Sequence, residues 1–262
     1  MALKFRDVLK ARERIAPTEV LAYQRELIGK LLRHATTQVP FYATRFAPLA
    51  SNGELLLDKW REVPLLSRTD LQRGGKALDA RMLPPYFGPV HDGRTSGSTG
   101  RPLAYRHEEL HDVASAAPTD RFFGWWGLDG KKNLATFRST YDESVRAGES
   151  KPGWRIGVPD GTRYIIELMV DIDRQIDWLK DVKPNYLFAR GGAHIVELAS
   201  QAQNRGERLR FDRIISTGSG VGPEARQLAR RAFKADIADL YGASETGLIA
   251  AQCPDCGLYH VC

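Results

Sequence analysis

Near the start of the chain, Val20, Leu21, Ile28, Leu31 and Leu32 recur at helical spacing behind Pro17 and Thr18, which predicts a helix that lays this stripe on a larger body. Two proline-containing stretches, Val39-Pro40-Phe41-Tyr42 and Val63-Pro64-Leu65-Leu66, read as extended. Ser67 with Asp70 three residues later resembles a capping box for a short helix, and Pro84-Pro85 starts a connector. From about Arg94 the pattern changes. Apolar runs at 133–137, 186–189, 211–216 and 236–241 alternate with helical patterns at 172–179, 195–202 and 223–233, the βαβα signature of a mostly parallel sheet flanked by helices. The last of these helices is the clearest. Pro223 suits its first turn, Glu224 its positive end, and Arg230, Arg231 and Lys234 its negative end, while Ala225, Leu228, Ala229 and Ala232 form one face.

With 262 residues, 42% of them hydrophobic, the chain is long enough to bury a core without staples, as one large domain or two modest ones. No window approaches the roughly 18 uninterrupted apolar residues of a membrane-spanning helix. Charges also break the apolar residues at 1–7, so no signal-peptide core is read and a cytoplasmic protein without a membrane partner is expected. The net charge of +6 is spread without a basic block, which suits anionic small molecules as well as it suits nucleic acid. Neither a basic recognition helix nor an aromatic RNA-binding signature is found, and nucleic acid is not expected as a partner. The three cysteines all fall in the last ten residues and exclude a disulfide framework.

Residues 94–102, Arg94-Thr95-Ser96-Gly97-Ser98-Thr99-Gly100-Arg101-Pro102, have the chemistry of a phosphate-gripping loop and precede a possible strand at 103–106. Glycines let successive N–H groups turn toward one anion, hydroxyls add donors, and a basic residue offsets charge. A flexible Gly/Ser turn has the same composition, and the Gly-Lys-Ser/Thr of a Walker loop is missing. Two further turns, Thr217-Gly218-Ser219-Gly220 and Tyr241-Gly242-Ala243-Ser244-Glu245-Thr246, follow predicted strands. Ligands of open parallel sheets bind beyond the carboxyl ends of strands, so the three segments are expected to share one crevice.

Together these segments resemble the adenylate-forming acyl-CoA synthetases, within them the phenylacetate-CoA ligase and coenzyme F390 synthetase branch. The resemblance lies in the 95–102 loop, the Tyr-Gly-x-Ser-Glu turn at 241–245 and the Cys-Pro-x-x-Gly-x-x-His stretch from Cys253 to His260. The stretches at 39–42 and 63–71 also look like that branch. It implies an α/β adenylate-forming N-terminal domain: a helical segment at 1–90 packing on the core, a nucleotide-binding core at 91–250 and a Cys/His segment at 251–262. The implied reaction is ATP-dependent activation of a small aryl or acyl carboxylic acid, followed by thioester formation with coenzyme A. Thr95, Ser96, Gly97, Ser98, Thr99, Gly100 and Arg101 would hold the β- and γ-phosphates, with Thr99 and Arg101 acting in catalysis. Gly218, Ser219 and Gly220 would line the adenine, Tyr241 would stack near it, and Gly242, Ala243 and Ser244 would complete the nucleotide site. Glu245 would act in catalysis by holding Mg²⁺, an ion that takes hard oxygen ligands. A homodimer is compatible with the resemblance.

The chain departs from that branch at 190–193, where Arg190-Gly191-Gly192-Ala193 stands in place of a Pro-Ser-Tyr turn and changes a wall of the expected acid pocket. The family also continues past this point with a ribose-binding aspartate, a hinge and a lysine-bearing mobile domain. A fragment or truncated frame with little adenylating activity of its own is therefore expected.

Cys253-Pro254-Asp255-Cys256-Gly257 has metal-knuckle spacing. If 258–262 is extended, His260 and Cys262 share a face and could complete a tetrahedral zinc site with Cys253 and Cys256. The competing reading is a family histidine beside incidental thiols. Trp125-Trp126 with Phe122 and Phe123 could form an aromatic acid pocket or simply core, and His91, His107, His111 and His194 lack metal-ligand spacing. The arginines at 205–213 read as a solvated loop. Two further readings stand beside the enzyme: a non-catalytic nucleotide- and zinc-binding module, and a basic zinc-containing nucleic-acid binder.

Overall fold

The computed structural model describes residues 1–51, 54–94, 103–138 and 143–261. In chain order the helices are α1 Ala2–Ala11, α2 Pro17–Gln38, α3 Pro40–Arg45, α4 Arg68–Gly74, α5 Glu109–Trp125, α6 Glu143–Ala147, α7 Ile172–Val182, α8 Gly191–Asn204 and α9 Pro223–Phe233. The strands are β1 Ala50–Ser51, β2 Glu54–Leu55, β3 Val90–Arg94, β4 Ala104–Glu108, β5 Leu134–Arg138, β6 Glu149–Pro152, β7 Thr162–Glu167, β8 Tyr186–Ala189, β9 Arg213–Ser216, β10 Ile237–Ala243, β11 Gly247–Gln252 and β12 Tyr259–Val261. They form two compact units, one of residues 10–112 and one of residues 1–9 with 113–262.

In the first unit, α2 buries Gly29, Leu32 and Ala35, spaced three apart along one stripe. Of the expected stripe Leu32 is buried, whereas Leu21 and Leu31 are more than half exposed, so the buried face is rotated from the expected one toward Gly29 and Ala35. The Val39-Pro40 stretch is also not extended throughout. Val39 is (φ −113°, ψ 106°), as a residue before proline prefers, but Pro40 opens α3, because the first helical position needs no N–H and the proline φ is already helical. The capping box is present at α4: the Ser67 Oγ accepts from the Asp70 N–H at 3.1 Å, and the Asp70 carboxylate accepts from the Ser67 N–H at 2.8 Å. The strand expected at 103–106 is β4, paired antiparallel with β3.

The second unit is built on an eight-stranded sheet in the order β12-β11-β10-β9-β8-β5-β7-β6. The five central strands, β10, β9, β8, β5 and β7, are parallel, and β11, β12 and β6 are antiparallel additions at the edges. Alternation along each strand divides the core. Ala135, Phe137, Leu187, Ala189, Ile214 and Ile237 face one side and pack with Ile176, Leu179, Ile195, Leu198, Ala229 and Phe233 of α7, α8 and α9. Leu134, Tyr186, Ile215, Ala238, Leu240 and Ala251 face the other side and pack with Phe122 and Phe123 of α5. Burial of each large side chain stabilises the fold by about 1.5–3 kcal/mol, which holds the strand ends in fixed register. Among the described residues no helix is long and apolar enough to cross a membrane.

Candidate functional site

The carboxyl ends of β8, β9 and β10 lie side by side, with Ala189 aligned on Ser216 and Ser216 on Asp239. Beyond these ends the chain must turn tightly. Gly218 has φ +94° and Gly191 φ +82°, a region that glycine enters without the steric cost of a Cβ. The two turns are also in direct contact: a Cβ on Gly191 would stand 1.8 Å from the Ser219 Oγ, and one on Gly192 would stand 2.8 Å from the Gly220 carbonyl oxygen. The Gly191-Gly192 pair thus lets the turn after β8 back directly onto the turn after β9.

Between the β9 and β10 turns lies a cavity of about 430 Å³, lined by Gly218, Ser219, Gly220, Asp239, Leu240, Tyr241, Gly242, Ala250 and Tyr259. Its volume falls within the roughly 300–1,000 Å³ of small-molecule sites. Of the residues assigned from sequence, Gly218, Ser219, Gly220, Tyr241 and Gly242 therefore come together. Ala243, Ser244 and Glu245 do not line it: β10 and β11 continue as a hairpin past a bulge at 241/242, and the three residues sit exposed at its end. Residues 95–102 and Cys262 lie outside the described residues.

The cavity contains a group that sequence reading missed. Asp239 is only 3% exposed, and its Oδ1 has no hydrogen-bond partner among the described residues. Its Oδ2 accepts from the Tyr259 hydroxyl and lies 4.0 Å from an Arg226 nitrogen. Burial, then the Asp239 carboxylate, push the Tyr259 phenol up to about 12, so it stays a neutral donor at ordinary pH. Ser216, in register with Asp239, is fully buried and its Oγ likewise has no partner among the described residues. An unpaired buried acceptor costs about 1–3 kcal/mol, and a ligand N–H or a water can satisfy it. Asp239 thus borders the cavity with one enclosed carboxylate oxygen, and the glycine turns bring backbone close to the same space.

His194 supports the β8 turn from behind. Its Nδ1 accepts from the Arg190 N–H at 3.2 Å, its Nε2 meets the Gln175 Oε1 at 2.8 Å, and the Gln175 amide donates to the Leu168 and Val170 carbonyls. This network requires the proton on Nε2. Burial first, then the Arg190 charge, hold the imidazole pKa down to about 4.

On the opposite face of β12, the ligand atoms of Cys253, Cys256 and His260 lie within 4.8 Å of one another, the one such group of three or more among the described residues. The Cys256 Sγ to His260 Nε2 distance is 3.8 Å. Tetrahedral coordination at about 2.3 Å for sulfur and about 2.0 Å for nitrogen requires a spacing of about 3.5 Å, so small movements would admit an ion. The backbone N–H groups of Cys256 and Asp255 point at the Cys253 sulfur and lower its pKa to about 7. Glu245 is not part of a carboxylate cluster among the described residues. Phe122 and Phe123 are core, whereas Trp125 and Trp126 line a separate cavity of about 440 Å³ with Arg213, Arg226 and Arg230. Arg205 is paired with Asp173, Asp177 and Glu207.

A mostly parallel sheet with glycine turns and a cavity at its strand ends is the architecture of the open α/β folds. The fold is more specifically that of the adenylate-forming CoA ligases. A solved structure of 2-hydroxyisobutyryl-CoA ligase in complex with 2-HIB-AMP and CoA in the thioesterification state is similar to this chain with a TM-score of 0.74 and 17% identity, over 94% of this chain and 54% of that one. An open conformation of the same ligase, also with 2-HIB-AMP and CoA, gives a TM-score of 0.68 at 16% identity over 88% and 55%. Its postadenylation state with 2-HIB-AMP gives 0.65 at 16% identity over 87% and 50%. The chain spans about half the length of these neighbours. No protein-family model and no curated protein matches the sequence.

Proposed function

We propose that this chain supplies the nucleotide-binding part of an AMP-forming acid-CoA ligase of the phenylacetate-CoA ligase type. The observation that carries the reading is the single cavity shared by the turns at 218–220 and 241–242, with the Asp239 acceptor in its wall. In this reading a substrate carboxylate oxygen attacks the α-phosphorus of ATP and the bond to pyrophosphate breaks. The coenzyme A thiolate then attacks the acyl carbon, and AMP leaves with the bonding electrons. Little covalent work falls to the protein, which aligns the reactants and stabilises charge on the departing phosphate.

Gly218, Ser219, Gly220 and Tyr241 hold the adenosine, with Asp239 and its Tyr259 partner forming part of the wall. The 95–102 loop, Thr99 and Arg101 included, is assigned to the β- and γ-phosphates. Glu245 is assigned to Mg²⁺, together with phosphate oxygens, and the ion supplies charge neutralisation. The Cys253, Cys256 and His260 group suits a structural zinc ion. The substrate is a small aryl or acyl acid, and Gly191-Gly192 shape one side of its approach.

Acid-dependent exchange of labelled pyrophosphate into ATP, surveyed with phenylacetate, benzoate and short 2-hydroxy acids, tests the reading. Exchange above the acid-free rate supports it. Saturable AMP binding with no exchange for any acid would instead favour a non-catalytic nucleotide- and metal-binding module.

A further inference from the structure

β12 is a three-residue edge strand with one residue committed to each of two different groups. His260 pairs across the sheet with Ala251, and Tyr259 with Gln252, so their side chains leave on opposite faces. On one face, His260 joins Cys253 and Cys256 and packs edge-on against Trp125, with ring centroids 5.9 Å apart. On the other, the Tyr259 hydroxyl donates to Asp239, and both residues line the cavity at the ends of β9 and β10. The strand's other anchor is the backbone pairing with β11, and all three of its residues are exposed, Val261 at 76% and Tyr259 at 45%. The turn leading into it is tight, with the Cys253 N–H donating to the Leu258 carbonyl at 2.8 Å and the Gly257 N–H to the Cys253 carbonyl at 3.1 Å. An ion held by one ligand where β11 ends, one in the turn and one in β12 would tie the edge strand to its neighbour.

We propose that Cys253, Cys256 and His260 bind a zinc-type ion that pins β12 and thereby holds Tyr259 on Asp239, so that metal occupancy sets the nucleotide affinity of the crevice. The inference rests on the nucleotide reading above and adds its regulation. Thiolate and imidazole ligands select a borderline-soft ion over Mg²⁺. When the ion leaves, β12 frays, the Tyr259 hydroxyl leaves Asp239, and Arg226, 4.0 Å away, is free to draw the carboxylate out of the cavity wall.

The test uses the whole chain with two probes. Co²⁺ reports the metal site through its thiolate charge-transfer absorption, and AMP, which needs no Mg²⁺, reports the crevice by calorimetry. One equivalent of Co²⁺ or Zn²⁺ should bind, and Cys256→Ser should abolish the thiolate signal. Chelation should weaken AMP binding about tenfold, the equivalent of one hydrogen bond to a charged group. Tyr259→Phe should bind AMP weakly with or without metal, while keeping the cobalt spectrum. Amide exchange at 259–261 should slow when metal is added. AMP binding that ignores the metal, or a Tyr259→Phe protein still sensitive to it, overturns the proposal alone, and so does failure to bind one equivalent of ion. An intact cobalt site in a protein that never binds AMP sinks the nucleotide reading and this inference with it.

Discussion

An alanine at Gly191 would carry its methyl 1.8 Å from the Ser219 Oγ and 3.2 Å from the Ser219 amide nitrogen, at a backbone φ of +82°. Two costs combine there, and a second glycine separates them. Gly206, just past the end of α8, has φ +70° with nothing within 4 Å of its Cβ position, so Gly206→Ala reports the backbone cost alone. That cost is about 1 kcal/mol, or roughly 2–4 °C in Tm for a chain of this size. Gly191→Ala adds an overpacking penalty of about 1–3 kcal/mol, for a total of about 3 kcal/mol and roughly 6–12 °C. The Ser219 hydroxyl can swing aside, but the amide nitrogen moves only with the turn, so Gly191→Ala also shifts the wall of the cavity. AMP affinity should fall about tenfold or more in Gly191→Ala and stay at the wild-type value in Gly206→Ala. Urea unfolding and AMP calorimetry on the two variants make the comparison. Equal stabilities and equal AMP affinities would refute the contact between the turns.

His194 makes stability depend on pH. Its folded pKa of about 4 lies below the ordinary 6.5, so between these values the unfolded chain holds more protons and stability falls as the pH is lowered, by about 3 kcal/mol across the window. His194→Asn should flatten that slope by about one proton in urea titrations at pH 4 to 6.5, and an unchanged slope contradicts the buried neutral imidazole. Gln175→Leu leaves the His194 N–H and two carbonyls unpaired and should cost about 2–4 kcal/mol in the same assay, against no change if the network is incidental. Ile214→Ala, at a fully buried position between β8 and β10, should cost about 2–5 kcal/mol while leaving the AMP affinity of the folded protein near wild type.

The central sheet was legible in sequence because parallel strands are covered on both faces and read as apolar runs, as Tyr186–Ala189 and Arg213–Ser216 do. Thr162–Glu167 was not read, since only Tyr164, Ile165 and Ile166 of it are apolar and polar residues flank them on both sides. Pro40 misled for a local reason: proline marks both an extended predecessor and a first helical position, and the tertiary context decides which. At the site, turns rich in glycine after strands announced themselves, and the Cys253, Cys256 and His260 group followed from short spacing across one hairpin. Asp239 and Tyr259 carried no signal, because their meeting depends on the register of β10, β11 and β12, which no local pattern encodes. The exposure of Ala243, Ser244 and Glu245 was hidden in the same way, by a hairpin that extends past the strand end.

The most direct test of the crevice is AMP calorimetry on the whole chain and on Asp239→Ala, each first checked for folding by circular dichroism. A wild-type protein that takes up one equivalent of AMP, and a folded Asp239→Ala protein that binds at least about tenfold more weakly, is the predicted result. Equal AMP affinity in the two proteins would contradict the assignment of this cavity to the nucleotide.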